Sequence, residues 1–301
     1  GKWIDSREWS ESPFLSISTT IRWMAYQPNR ERSSRQSDRS PLGRQEGYPV
    51  SERATWQFSW WYSDERSLAM DHDIERDLNL FYEGLELLGL ALDAEQQKQF
   101  HHYVGEVYLF NGTYRLVGAM GRDFVIKHLL DSIAPVALFR SIIESFPHDV
   151  RLCDVGSGAG LPGIPLAIML PETPVVLVER MGRRAGFLQN ALARCNLHGR
   201  VEVIQRDLNE VQDRFEIVTF RAFHPLTDII RPIGSIVADR GFVCAYKGRT
   251  ETLMGELAGI DALVRDGKGG SPFGWLPRIE SVSVPFLEAQ RTLCVLQKEI
   301  E

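Results

Sequence analysis

The run Asp154-Val-Gly-Ser-Gly-Ala-Gly-Leu-Pro-Gly-Ile-Pro-Leu-Ala-Ile168 limits what this chain can fold into more than any other stretch. The apolar segment Val150 to Val155 reads as a buried strand and Ile164 to Leu170 as a helix, so the glycines fall at a strand-to-helix turn. Gly156, Gly158 and Gly160 let the backbone turn tightly and approach a ligand, while the free N–H groups of the following helix face an anionic group. Pro162 and Pro165 suit a helix entrance, where the missing N–H has no partner to lose. The expected ligand site is therefore the carboxyl edge of an α/β sheet.

The glycines satisfy two templates. Gly156-x-Gly158-x-Gly160 after Asp154 is the pattern of an S-adenosylmethionine site, and Gly158-x-Gly160-x-x-Gly163 is that of a dinucleotide site. Glu179 closes the next strand, Pro174 to Val178, about 20 residues beyond, where a carboxylate accepts hydrogen bonds from ribose hydroxyls. That position serves both templates.

The surrounding pattern separates them. From residue 149 the chain alternates: strand to Val155, helix, strand to Glu179, helix Arg183 to Cys195, strands Val201 to Gln205 and Glu216 to Phe220, helix Leu226 to Ala238, strand Phe242 to Lys247. Alternation of this kind predicts a doubly wound, mostly parallel sheet. Ile279 to Pro285 and Thr292 to Gln297 then follow as two strands with no helix between them, a C-terminal antiparallel hairpin. Such a closure is typical of S-adenosylmethionine methyltransferases and unusual for nicotinamide dehydrogenases.

Ahead of the sheet, Ile74, Leu78, Phe81, Leu85 and Leu88 share one helical face. Asp93 caps a second helix with Gln96 as in a capping box, and a third runs near Asp123 to Ile133. The expected domains are an N-terminal extension over 1–73, a helical cap over 74–147 and the sheet domain over 148–301. Six of the seven tryptophans lie in the first 61 positions, and 27–49 has the composition of an unfolded segment. Met70 opens a stretch of 232 residues to the end, so the preceding segment is expected to be dispensable, with a partner-binding arm as the rival reading.

Composition narrows the rest. With 44% apolar residues and no stretch near the ~18 needed to span a bilayer, the chain is expected to be cytoplasmic, without a membrane partner. Cys153, Cys195, Cys244 and Cys294 are dispersed and read as reduced core thiols, neither disulfides nor a metal site. Adjacent His101 and His102 point to different helix faces and make no metal pair. A net charge of −6 confines any nucleic-acid binding to local patches.

For a methyl acceptor, carbon-5 of a pyrimidine needs a cysteine nucleophile, and none occurs between Cys195 and Cys244. Exocyclic amines are usually held by a Pro-Pro-aromatic loop, where this chain reads Arg221-Ala-Phe-His-Pro-Leu226. A ring nitrogen such as guanine N7 needs neither nucleophile nor proton removal, which permits that acceptor without selecting it. Arg221, at the end of the fourth strand, and Phe223 are the substrate-positioning candidates, with no acid–base or nucleophilic catalyst expected. Arg180, Arg183, Arg184 and Arg194 form a candidate phosphate patch, to which Lys247 and Arg291 add at strand ends. His128 and Asp131, one helical turn apart, are expected to bond to each other and seat the glycine turn.

The glycine run, His128-x-x-Asp131-Ser132, Gly182-Arg183-Arg184 before Phe187-Leu188, Arg221-Ala222-Phe223, Lys247-Gly248 and Arg291 together resemble the glucose-inhibited division protein B family, in order and spacing from about residue 76 to 298. The resemblance implies a class I methyltransferase fold with S-adenosylmethionine as cofactor. It also implies methyl transfer to N7 of a guanine in small-subunit (16S) ribosomal RNA, as naked RNA or assembled subunit, by a monomer. In that family's arrangement Gly156 and Leu161 lie along the cofactor, Glu179 is the acidic second-strand residue, Asp207 and Leu208 border the adenine, and Arg221 closes the site. Phe110-Asn111 and Arg115-Leu116-Val117 stand where the family commonly has Trp-Asn and Asn-Leu-Thr. Another RNA, a protein substrate and a nicotinamide-dependent oxidation remain the alternatives.

Overall fold

β1 (Leu152–Val155) and β2 (Val175–Val178) are buried at every residue, as strands covered on both faces must be. They lie inside a seven-stranded sheet of order β3-β2-β1-β4-β5-β7-β6, with β3 at Val201–Ile204, β4 at Phe215–Arg221, β5 at Val237–Lys247, β6 at Trp275–Val282 and β7 at Arg291–Lys298. The first five strands pair in parallel, whereas β7 pairs antiparallel with both β5 and β6. The order reverses direction at β1, so the crevice of a doubly wound sheet opens between the ends of β1 and β4. This computed structural model describes residues 51–265 and 274–299; Trp3, Trp9, Trp23 and the segment 27–49 lie outside them.

Side chains alternate across the sheet. Leu152, Leu177, Ile217, Cys244 and Val295 face a core shared with the N-terminal helices, and Cys153, Val176, Val218, Val243 and Cys294 face the opposite one. The first core continues through α1 (Ser51–Leu87) and α2 (Ala94–Tyr114), where Leu78, Phe81, Phe100 and Tyr103 are buried. The helices read as a cap thus share their apolar interior with the sheet. The expected boundary at residue 73 is corrected, since α1 passes through it unbroken and Met70 packs against the core. The reason is that a change of composition marks where burial begins, and a helix can continue across that change.

The capping box at Asp93 forms as read: its carboxylate accepts from Gln96 N (2.8 Å) and Gln96 Oε1 accepts from Asp93 N (3.0 Å). The third helix, α3, is made of Arg122–Phe124, a π-helical turn Val125–Leu130 and Asp131–Ile133. α4 (Val136–Glu144) follows Pro135. Beyond β1 come α5 (Gly163–Met169), α6 (Gly182–Arg194), α7 (Leu226–Ile236) and α8 (Thr250–Arg265). The last of these stands between β5 and the hairpin, where the sequence reading placed no element. Among the described residues no helix is long and apolar enough to cross a membrane.

Candidate active site at the carboxyl edge of the sheet

The glycine turn hangs from the end of β2. Gly156 N and Ser157 N donate to the Val178 carbonyl at 2.8 and 3.1 Å, and Ser157 Oγ donates to the Asp154 carbonyl at 2.8 Å. Asp154 lies beneath, where its Oδ2 accepts from Gly163 N at 3.0 Å, at the positive end of α5. Its Oδ1 is buried without a partner, and burial pushes the carboxyl up to about 7. Gly163 has no room for a side chain, because a Cβ there would stand 2.4 Å from Leu177 and 2.6 Å from the Asp154 carboxylate. Gly156 has φ +68°, and a Cβ on it would meet the Phe223 ring at 2.4 Å, so that ring lies directly on the turn.

Glu179 ties the two strands together. It is 4% exposed, and accepts from Gly158 N at 3.0 Å through Oε2 and from Met181 N at 2.8 Å through Oε1. Each carboxylate oxygen keeps a further lone pair, so ribose hydroxyls can still donate to it. From behind, Tyr103 Oη donates to the Ala159 carbonyl at 2.8 Å and Gln96 Nε2 to the Ile168 carbonyl at 2.9 Å. These two straps from α2 hold the turn and the helix that follows it. The expected His128–Asp131 pair is corrected: each side chain instead turns to Arg221, because α3 packs beside the end of β4.

A cleft of about 620 Å³ opens over the turn, lined by Gly156, Glu179, Arg180, Arg184, Asp207 and Leu208 together with Phe223. Asp207 caps a short 3-10 turn, Leu208–Glu210, and its bonds from Asn209 hold its carboxyl below the usual range. The Gly156 backbone beside the Phe223 ring, the buried Glu179 carboxylate bonded to the turn and a second acid, Asp207, on the rim suit an adenosyl group bearing a sulfonium. Gly160 and Leu161 do not face this cleft. The space above Gly160 belongs to Ile164 and Leu188, and Leu161 is buried in the core, because the chain is already turning into α5. Gly158 has φ +57°, and a Cβ on it would stand 3.8 Å from the Gly156 carbonyl oxygen, an ordinary contact.

A second cleft, about 570 Å³, lies on the β4–β5 side and is lined by Arg221, Phe223, His224, Tyr246, Lys247 and Glu256 among others. Ala222, Phe223 and His224 border both clefts. Arg221 is fixed by the π-helical turn: its Nη1 donates to the Lys127 and His128 carbonyls (3.2 and 3.3 Å) and to Asp131 Oδ2 (3.0 Å). An i to i+5 turn leaves carbonyls able to accept from outside the helix, and π-turns recur at functional sites for such reasons. Asp131, 6% exposed at its side chain, also accepts from Arg291 Nε at 3.1 Å, so one carboxylate clamps two guanidinium groups. Arg221 Nη2 stands 3.1 Å from His128 Nδ1. Since arginine only donates, that nitrogen accepts and the ring is neutral; burial and the Arg221 charge hold its pKa down at about 4.

The arginine patch divides. Arg180 and Arg184 line the first cleft and Arg183 is exposed at the same end of α6, whereas Arg194 lies at the far end of that helix, roughly 16 Å along its axis. Arg206 and Arg231, not singled out by the sequence, join the first cleft. Their signal was position only, next to Asp207 and on α7. All four cysteines are buried, with Cys195 and Cys294 thiols pushed up to about 12 by burial. Among the described residues no group of acids, histidines and cysteines could hold a metal ion.

Known proteins resemble this chain in sequence. A family model, GidB, described as rRNA small subunit methyltransferase G, matches residues 96–258. Ribosomal RNA small subunit methyltransferase G of Borrelia turicatae is 32% identical over 188 residues, covering 62% of this chain and 88% of its own length. The protein of the same name from Cupriavidus pinatubonensis is 31% identical over 231 residues, covering 72% and 92%.

Proposed function

Because this chain belongs to the GidB family of rRNA small subunit methyltransferases, we propose that it transfers a methyl group from S-adenosylmethionine to N7 of a guanine in 16S ribosomal RNA. The observation that carries the reading is the meeting of two clefts at Ala222–His224, on the carboxyl edge of the sheet. The cleft over the glycine turn takes the cofactor and its neighbour takes the base.

When bound, S-adenosylmethionine supplies a methyl group on a sulfonium that is already a good leaving group. The protein's part is alignment and exclusion of water. Gly156 borders the cofactor cleft beside the Phe223 ring, with Gly158, Gly160 and Asp154 shaping the turn behind it. Glu179 accepts from the ribose, and Asp207 and Leu208 border the adenine. Phe223, at the junction, stacks on the target base. Arg221 stays with Asp131 and closes the site without touching N7, whose lone pair must remain free. Neutral His128 is occupied as an acceptor and the thiols are buried, so these groups take no proton and attack no atom.

Arg180 and Arg184, with Arg206 and Arg231, border the cofactor cleft, Arg183 is exposed at the same end of α6, and together they face RNA phosphates. Lys247 and Arg291 border the base cleft. The residues after 148 line the first cleft and most of the second, which Lys127, His128 and Asp131 of α3 complete, and Gln96 and Tyr103 of α2 brace the turn from behind. The reaction takes place in the cytoplasm, with one copy of the chain acting alone. Mapping alkali-labile N7-methylguanine in 16S RNA, as naked transcript and as small subunit, tests the assignment. One guanine gains the mark when protein and S-adenosylmethionine are both present. Labelled methyl arriving only on another atom or another RNA overturns it.

A further inference from the structure

We propose, building on the guanine reading above, that Lys247 and Glu256 select the target base by its O6 and N1–H edge. Lys247 is the last residue of β5 and Glu256 lies on α8, and both line the second cleft beside Phe223. Lys247 Nζ donates to Glu256 Oε2 at 2.7 Å, and the two side chains are 15% and 16% exposed. The same Oε2 accepts from Leu226 N at 2.7 Å, at the start of α7. The carboxylate is thereby fixed at a helix N-terminus. Both bonds fall on Oε2, so Oε1 keeps its capacity to accept, and an ammonium with three donors keeps its capacity to give.

Guanine presents an acceptor, O6, next to a donor, N1–H. Adenine presents the reverse, a donor amine next to an acceptor nitrogen. A fixed lysine and carboxylate side by side match the first order and place like against like in the second. A site built to hydrogen-bond one partner rejects its mismatch strongly, because buried polar groups are then left unpaired. O6 also adjoins N7 on the purine. A base held by its O6 and N1–H edge therefore keeps N7 unobstructed for the methyl.

The test uses the full chain and a short synthetic RNA spanning the mapped guanine, with that base as guanine, inosine or adenine. Inosine keeps O6 and N1–H, so the unaltered protein methylates it within roughly tenfold of guanine, and disfavours adenine by about a thousandfold or more. In Glu256→Gln, kcat/KM for guanine falls at least tenfold and the guanine-to-adenine ratio narrows at least tenfold, because an amide both donates and accepts. Affinity for S-adenosylhomocysteine stays within threefold, which separates base reading from loss of fold. Lys247→Met, which leaves the Glu256 bond to Leu226 N at the start of α7, narrows the ratio too and serves if the first variant does not fold. A ratio unchanged in the variants, or inosine refused as strongly as adenine, overturns the proposal and leaves the methyltransferase reading standing. Absence of any N7-methylguanine with the unaltered protein removes both, and is a distinct result.

Discussion

The two clefts that meet at Phe223 are built on different principles. On the side of β1, β2 and β3, backbone amides converge on carboxylates from short range: Gly163 N on Asp154, Gly158 N and Met181 N on Glu179. On the side of β4, β5 and β7, charged side chains pair across the fold, Arg221 with Asp131 over 90 positions and Arg291 with the same residue over 160. A backbone cradle depends on conformation and loses its shape when a residue cannot adopt the turn. A side-chain clamp depends on charge balance, and fails when one member is removed. The two regions are therefore expected to break separately.

The largest separation comes from Gly158→Val. The residue has φ +57°, a conformation that a β-branched side chain resists, and its N–H is one of the two that hold Glu179. Binding of S-adenosylhomocysteine, followed by calorimetry, drops by at least about a hundredfold, from the loss of roughly 3 kcal/mol in turn geometry and ribose contacts. The Arg221–Asp131–Arg291 clamp, remote from the substitution, keeps most of the chain's resistance to urea. Full affinity in that variant removes the cofactor site from this turn.

Asp131→Ala is the converse. Two guanidinium groups, one 14% and one 26% exposed at the side chain, lose their shared carboxylate, and an unpaired buried charge costs about 3 kcal/mol. Urea denaturation reads that loss directly. Cofactor affinity changes by less than threefold, since neither partner of Asp131 holds the glycine turn. A variant that loses cofactor binding and stability together shows the two sides to be one cooperative unit.

The same contrast explains what could be read from the sequence. The cofactor side needs only local information: Asp154, the glycines and Glu179 fall within one strand-turn-helix-strand unit, and glycine spacing reports backbone conformation. The capping box at Asp93 and the alternation of buried strands are local signals of the same kind. His128 and Asp131 read as a pair one turn apart, yet their shared partner is Arg221, which no spacing identifies. Neither does helical periodicity reveal the π-helical turn, which shifts the register inside a segment that reads as one helix. Tyr103 looked like core and is buried as such, but its hydroxyl also holds the Ala159 carbonyl. Helix α8, which delivers Glu256, carries Gly255 and Gly259 in a short stretch after a strand, and a pattern so interrupted gives a weak helical signal.

The smallest effect expected is a pH dependence confined to the clamp side. His128 is held to about 4 in the folded chain, below its ordinary 6.5, by burial and by Arg221. As pH falls below about 6.5 the unfolded chain takes up a proton that the folded one refuses until about 4, so the contribution of this group is complete above 6.5 and is lost between those values. For a half-buried ring the loss is roughly 1–2 kcal/mol after solvent screening. Asp154, raised to about 7, acts in the opposite sense: there the folded chain binds the extra proton and gains stability as pH falls toward 4. The two slopes offset each other in the whole protein, and a difference measurement is needed to separate them. In His128→Asn the amide oxygen can still accept from Arg221 while the titration is gone. The stability of the unaltered chain minus that of the variant is then flat above pH 7 and declines by that 1–2 kcal/mol from 6.5 to 4. Parallel curves mean that His128 takes up its proton as readily in the folded chain as in the unfolded one, and that the clamp tolerates a third cation.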